Sequence, residues 1–388
     1  MHNIQDYLDW RGDLTFANDP FNEVDNLVFS VFSYLDFEGV VPNENETGFI
    51  SLSEAATHLA KKLDTQTAAV TRSFFSQIPL LFEKAAKSNR YGGIRLSHYI
   101  NQIELEQVEQ FSAVVFSITD RQHFVAFSGT DDTLAGWKED LEMSFLDEVP
   151  AQKSAAAYLE KVMADLPGEY YLGGHSKGGN LAVYAASFAG ENRQDRILGI
   201  YNNDGPGFQS KTIQSEGYQN IIAKITTYLP KSSVVGMLLE HFGEYKVVHS
   251  DEAGVMQHNA FSWEVQGNHF VYAEGLSKSS LTINTTIRAW LTQISMEERA
   301  EFVHALFDVL QATGAETVSD LSQEKLASAK AMIQTYMNLE PTTQSNLRKV
   351  IEILFAESQK VIRGEIGLLF AKKLPGKKAD RSENPSIT

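Results

Sequence analysis

The segment YYLGGHSKGGNLAVYAA, residues 170–186, constrains the fold of this chain more than any other. A short β-rich run leads into Gly174-His175-Ser176-Lys177-Gly178, and helical sequence follows at once. A Gly-x-Ser-x-Gly pentapeptide between a strand and a helix makes a sharp turn that lifts its serine above the end of a sheet. Gly174 and Gly178, two residues to either side of Ser176, let strand and helix approach closely enough for that turn. The amides that open the helix point at the place where an oxyanion would form. Ser176 is thus the candidate nucleophile, and an ordinary Gly-rich loop is the alternative. A phosphate-binding loop does not fit, because Lys177 precedes the glycine pair and no Ser or Thr follows in the required order.

The flanking patterns supply the sheet that such a turn needs. SAVVFSI (Ser112 to Ile118) and HFVAFSG (His123 to Gly129) read as strands of a hairpin across TDRQ. A helix over Ala155 to Leu166 stops before Pro167-Gly168; then come the strand EYYLGG, the helix NLAVYAASFAG and the strand ILGIYNND, which runs into a Gly/Pro loop. Helix, strand, helix, strand predicts an α/β fold, a mostly parallel sheet with crossover helices. KITTYLP and YKVVHSD are two further strands. Ahead of the sheet, Asn22 to Phe37 gathers its apolar residues on one helical face, and Ser51 to Leu63 opens on a Ser/Glu capping box. From about Ser280 onward helical patterns dominate. The expected organisation is an N-terminal helical segment over 1–92 packed on a core over 93–279, a C-terminal helical region over 280–370, and a polar, disordered tail over 371–388.

Composition removes several classes of function. The formal charge of −17 repels phosphate backbones, so nucleic acid is not an expected partner. The absence of cysteine excludes disulfides, thiolate metal sites and a Cys nucleophile. No metal or cofactor is implied. The first residues, MHNIQDYLDWRGD, do not read as a secretory signal, and the longest apolar runs, such as Val234 to Leu239, fall far short of a membrane span. The expected compartment is the cytoplasm. The C-terminal stretch VIRGEIGLLFAKKLPGKK ends with Lys372, Lys373, Lys377 and Lys378, which suits either weak contact with an anionic lipid surface or a solvated helix end. The apolar VGMLLEHF reads as a lid or partner surface, or equally as core.

A serine on such a turn needs a base and the base needs a carboxylate, in the chain order Ser, Asp or Glu, His. Asp204 directly follows the strand after the elbow and leads, with Asp251, after a later strand, in reserve; an Asx-turn role in NDGPG is the structural alternative for Asp204. Asp195 lies at the opposite edge of the sheet. Five histidines follow Ser176: His241, His249, His258, His269 and His304. His241 and His304 fall in helical patterns and His249 in a strand. His258, in the turn-like GVMQHNAFSW, is where a base must be to swing over the nucleophile, and His269 is next.

FVAFSGTDDTLAGWKEDLEMSF, from Phe124 to Phe145, together with GGHSKGGNLA, resembles the class three lipases, in which an apolar strand, a Gly-Thr or Gly-Ser pair and a Trp-x-x-Asp precede a GHS elbow. The resemblance implies an oxyanion hole formed by Thr130 and the backbone N–H of Lys177. Over most of its length, from DYLDWRGD and DPFNEVDNLVFSVFSYLDF through YLPKSSVVGMLLEH and QHNAFSWEV, the chain also resembles the bacterial Mbeg-like family, which implies the α/β-hydrolase fold. Two departures stand out. The stretch Lys231-Ser232-Ser233-Val234-Val235 lacks the carboxylate that class three lipases carry after a later strand, so Asp204 takes that role, as in pancreatic-type lipases. Lys177 stands where an apolar residue is common, and reads either as a cation acting on substrate or histidine or as a solvated surface lysine.

The function expected is that of a serine hydrolase cleaving carboxylic esters, including lipid or acylglycerol esters, with Ser176, His258 and Asp204 as triad. Thioester hydrolysis or acyl transfer uses the same constellation with another substrate or acceptor. A non-catalytic binding or scaffold protein is the contrasting reading, favoured if His258 lies far from Ser176.

Overall fold

The computed structural model describes residues 2–63, 74–104, 108–131, 133–240, 243–315 and 325–353. His241, the last helical stretch with Lys372, Lys373, Lys377 and Lys378, and the polar tail lie outside the described residues. Eight strands form one sheet in sequence order: β1 (Ile50–Ser51), β2 (Arg95–Glu104), β3 (Glu109–Ser117), β4 (Gln122–Phe127), β5 (Glu169–His175), β6 (Ile197–Asn203), β7 (Ile225–Pro230) and β8 (Tyr245–Val248). The three pairs from β1 to β4 are antiparallel and the four from β4 to β8 are parallel. The hairpin across TDRQ is β3–β4, with Ser117 opposite His123.

The pleat of β3 and β4 sorts their side chains into two cores. Val114, Phe116, Phe124 and Ala126 face the N-terminal helices α1 (Ile4–Arg11), α2 (Glu23–Phe32), α3 (Leu52–Leu63) and α4 (Phe74–Ala86). Ala113, Val115, Val125 and Phe127 face the opposite layer, which contains α6 (Pro150–Asp165) and α7 (Lys177–Ser187). Between the two lies α5 (Leu134–Glu142) in sequence. Helix α2 is buried on every side and lies across β4 and β5. Its helical face ends not at Phe37 but at Phe32, where the Ser33 hydroxyl donates to the Ser30 carbonyl at 2.8 Å and the Tyr34 amide bonds three residues back, to Val31, at 3.3 Å. Reciprocal bonds between Ser51 and Glu54 cap α3.

Short helices α8 (Glu191–Gln194), α9 (Ser210–Ile213) and α10 (Glu216–Ile221) fill the connections around β6, and a 3₁₀ turn, Gly254–His258, follows β8. A small ribbon of β9 (Val265–Gln266) and β10 (His269–Phe270) precedes α11 (Lys278–Leu291) and α12 (Met296–Gln311). Val303 and Phe307 of α12 pack on Leu134 of α5. No helix among the described residues is long and apolar enough to cross a membrane.

The N-terminal layer is fastened by a buried ion pair. Arg90 Nε donates to Asp25 Oδ1 at 2.8 Å and Nη2 to Oδ2 at 2.5 Å, with both side chains fully buried. Tyr7 and Tyr91 hydroxyls donate to the same Oδ1 at 3.0 and 2.5 Å, and the Asn22 amide to Oδ2 at 3.0 Å. The remaining guanidinium donors reach the Leu14, Asp19 and Pro20 carbonyls. A buried pair so fully bonded is costly to break from one side, because the partner's charge stays buried. Arg90→Met is therefore expected to destabilise the protein by about 3–5 kcal/mol in urea unfolding, whereas Lys87→Ala, which removes the exposed pair with Glu83, leaves the midpoint within error.

Candidate active site

Strand β5 ends at His175 and α7 begins at Lys177, leaving Ser176 as the single residue of the turn, at φ 57° and ψ −134°. A side chain rarely adopts that conformation, and the packing beneath holds it. A Cβ on Gly174 would sit 2.2 Å from the Gly178 carbonyl carbon, and one on Gly178 would sit 2.1 Å from the Phe127 carbonyl oxygen. Both glycines are thus required by contact. The Ser176 amide donates to the Asn203 carbonyl at 2.9 Å, which ties the elbow to the end of β6. Beneath it, Asn203 Nδ2 donates to the Gly174 carbonyl at 3.0 Å, and Asn203 and Asn26 of α2 exchange side-chain bonds at 2.8 and 3.1 Å.

One residue past β6, Asp204 also has a positive φ, 54°. Its carboxylate is fully buried and fully bonded. Oδ2 meets His258 Nδ1 at 2.7 Å, while Oδ1 accepts from the Ser233 hydroxyl at 2.5 Å and the Gly236 amide at 3.2 Å. The stretch that lacks a carboxylate in the sequence thus supplies a hydroxyl donor to the acid next door. The Asp204 carboxylate makes no Asx-turn in NDGPG, and the side chain that caps this loop is that of Asn202, whose Oδ1 accepts the Gly205 amide at 2.8 Å.

His258 closes the 3₁₀ turn with its side chain 28% exposed. Its ring lies 4.6 Å from that of His175, the residue before Ser176, and Ser176 and His258 line one cavity. The other candidates are elsewhere. Asp251 is exposed, and its amide bonds to the Ser262 carbonyl. His269 sits exposed on β10 with Nδ1 at 3.1 Å from the Phe270 carbonyl, and His304 is exposed on α12 beside Glu142.

Thr130 lines the same cavity, and its hydroxyl donates to Asp140 Oδ2 at 2.6 Å. The second oxygen, Asp140 Oδ1, is buried without a hydrogen-bond partner. Burial raises the Asp140 carboxyl to about 6, against the lowering pull of the Lys177 ammonium and the Thr130 hydroxyl. Lys177 is neither a solvated lysine nor a cation facing the cavity centre. Its side chain is buried, and Nζ donates to Glu139 Oε2 at 2.8 Å and to the Gln110 carbonyl at 2.9 Å. Glu139 Oε1 also accepts the Ala151 amide at 2.8 Å, so the pair pins α5, α6, α7 and β3 together. Glu139, Asp140 and Ser233 escape a reading by motif, although the first two belong to the WKED segment quoted for its Trp-x-x-Asp spacing.

The cavity holds about 430 Å³. Ile287, Trp290 and Leu291 of α11 and Phe302 of α12 form one wall, and Leu238 and Leu239 another. Of VGMLLEHF, Val235, Leu238 and Leu239 line the cavity. At the mouth, Trp137, Val255 and Met256 are 49%, 61% and 59% exposed. Among the described residues no group of three His, Asp or Glu side chains is arranged to hold a metal ion.

The sequence model of the Mbeg1-like family matches residues 85–308. Among solved structures the chain is similar to one described as the crystal structure of M37 lipase, at 13% identity and a TM-score of 0.33, over 57% of this chain and 70% of that one. No curated protein matches the chain. The family match covers more than half of the sequence, including the elbow, Asp204 and His258, and the chain belongs to the Mbeg1-like family.

Proposed function

We propose that this protein is a serine hydrolase that cleaves carboxylic esters bearing a hydrophobic acyl group. The observation that carries the reading is the 2.7 Å bond between His258 Nδ1 and the buried Asp204 carboxylate, with His258 and Ser176 lining one apolar cavity. With Nδ1–H committed to Asp204, Nε2 is the nitrogen left to take a proton from a serine hydroxyl. Ser176 Oγ attacks the ester carbonyl, and His258 Nε2 receives the Ser176 proton. The same imidazolium then protonates the departing alcohol, leaving an acyl-serine that water hydrolyses by the reverse sequence. Asp204 orients the ring and stabilises the imidazolium. The Lys177 amide, which opens α7, and Thr130 stabilise the oxyanion. The mostly apolar walls favour an acyl chain, including those of lipid or acylglycerol esters, over a charged substrate. The scaffold reading required a distant His258, and a ring 4.6 Å from His175 speaks against it.

Ser176→Ala is expected to melt like the wild type, to lose labelling by a fluorophosphonate in intact-mass analysis, and to hydrolyse p-nitrophenyl butyrate at least about 10⁴-fold more slowly. Asp204→Asn, which favours the wrong imidazole tautomer, costs about 10³–10⁴-fold in kcat. A wild-type protein that takes up no label, with detergent present to open the cavity, returns the scaffold reading.

Asp140 carries a second expectation. Its folded value of about 6 lies above its ordinary 3.8, so the contribution of its carboxyl to stability is full below about pH 4 and lost above about pH 6. Asp140→Asn cannot ionise, and relative to the wild type it gains about 2–3 kcal/mol between pH 4 and pH 7.5. Urea unfolding at the two pH values measures the difference free of any pH-independent cost of the amide. The same variant hydrolyses ester more slowly because the bond that orients Thr130 is weakened. Equal changes in stability at both pH values refute the assignment of a strained carboxylate.

A further inference from the structure

His175 has both ring nitrogens engaged and a defined tautomer. Nε2 lies 2.7 Å from the main-chain carbonyl of His258, and Nδ1 lies 3.0 Å from the Tyr34 hydroxyl. A carbonyl only accepts, so Nε2 carries the proton and Nδ1 presents its lone pair to the Tyr34 hydroxyl, whose one proton is shared with the His175 carbonyl 3.1 Å away. The Tyr34 hydroxyl also lies directly against Gly129. Contact there is close: a Cβ on Gly129 would fall 1.9 Å from the Tyr34 hydroxyl, so the glycine before Thr130 is required by this tyrosine. The His175 ring is stacked on Phe74 at 5.4 Å. Burial and the neighbouring His258 charge hold His175 well below the ordinary histidine range, so it stays neutral while His258 exchanges protons.

From this chain of contacts we infer that Tyr34 and His175 form a positioning strut, which sets the main chain of His258 and the Gly129–Thr130 loop at fixed places on either side of Ser176. The inference rests on the reading of Ser176 and His258 as nucleophile and base. Asp204 alone holds the His258 ring at one point, Nδ1, and leaves the residue free to pivot about that bond. The turn that carries His258 is exposed at Val255 and Met256 and is anchored on one side through Gln257, whose Oε1 accepts the Ser232 amide at 2.6 Å and whose carbonyl accepts Trp263 Nε1 at 2.9 Å. The bond from His175 to the His258 carbonyl adds the second point and stops the pivot. Tyr34 extends the same rigid unit to the oxyanion loop, so base and oxyanion donors share one reference. Tyr34 lies in the N-terminal segment, outside residues 85–308 of the family match, which gives that segment a part in the chemistry as well as in packing. An ångström of misplacement at a base costs about a hundredfold in rate, and this scale sets what the strut is worth.

The test uses the full chain, p-nitrophenyl butyrate for kcat and KM, and a fluorophosphonate for the labelling rate. Tyr34→Phe is expected to lower kcat and the labelling rate about tenfold with KM within about twofold. His175→Leu lowers kcat about a hundredfold, and His175→Gln, whose amide nitrogen still reaches the His258 carbonyl, recovers most of that loss. Adding Tyr34→Phe to His175→Leu changes kcat no further, since the strut is already cut. Ser33→Ala, which removes a buried hydroxyl bond one residue away, lowers the melting temperature and leaves kcat unchanged, separating positioning from general stability. Should His175→Leu fail to fold, Tyr34→Phe combined with His175→Gln decides the same question. A folded Tyr34→Phe with wild-type kcat, or single effects that multiply in the double variant, overturns the strut while the labelled wild type keeps the hydrolase reading. A wild type that neither labels nor hydrolyses overturns that reading and the strut with it.

Discussion

The positive φ of Ser176 is the constraint on which the rest of the structure turns. A non-glycine residue held there carries strain of about 1–3 kcal/mol, and it persists only where the surroundings leave no alternative. Here they leave none: Gly174 and Gly178 are in backbone contact, Gly178 presses on the Phe127 carbonyl, and the Ser176 amide is bound to Asn203. Such closeness requires β4, β5 and β6 to be parallel neighbours, which in turn requires crossover helices on the face of the sheet. Asp204 repeats the positive φ at the end of the next strand. Candidate nucleophile and acid therefore stand side by side at the carboxyl ends of adjacent parallel strands, where open α/β sheets gather their sites.

The sheet divides its labour along its width. Its antiparallel half, β1 to β4, meets the N-terminal helices with Val114, Phe116, Phe124 and Ala126, and carries on β3 the start of the Lys177–Glu139 contact through Gln110. Its parallel half presents loop ends. Between helix layer and loop ends lie buried polar groups that apolar packing alone would reject. Each has partners: Asn26 with Asn203, Asp25 with Arg90, Lys177 with Glu139. Groups so bonded fix distances as well as energies, and Gln152 of α6 with Asn180 of α7, at 2.8 Å, repeats the pattern in the opposite layer.

Local pattern made some of this legible and long-range pairing hid the rest. The strand-turn-helix at Ser176, the crossover helices and the strands β3 to β8 follow from periodicity and from Gly/Pro punctuation, and chain order points to Asp204 and His258 as candidates. Strand β2 does not announce itself: His98 has φ 54° and the register slips between Ser97 and Ile100, so RLSHYINQIE never alternates cleanly. Lys177 was open to a solvated reading because a charge shows in the sequence while its partner, Glu139 on another helix, does not. The same limit hides Tyr34, whose hydroxyl lies against Gly129 and His175, 95 and 141 positions away.

Ser233, after β7, bonds the candidate acid that stands after β6. The chain resembles class three lipases elsewhere, yet a carboxylate in the Lys231–Val235 stretch at position 233 would face Asp204 at the distance now spanned by a 2.5 Å hydrogen bond. Two carboxylates that close share a proton, and one of them is held neutral. A neutral acid beside His258 neither orders the imidazole nor stabilises its cation. An acid at 233 would thus compete with Asp204, whereas the Ser233 hydroxyl donates to Asp204 Oδ1. With Ser233 and Gly236 on Oδ1, Oδ2 is left for His258, and the orientation of the acid is decided by the stretch in which the sequence shows no acid at all.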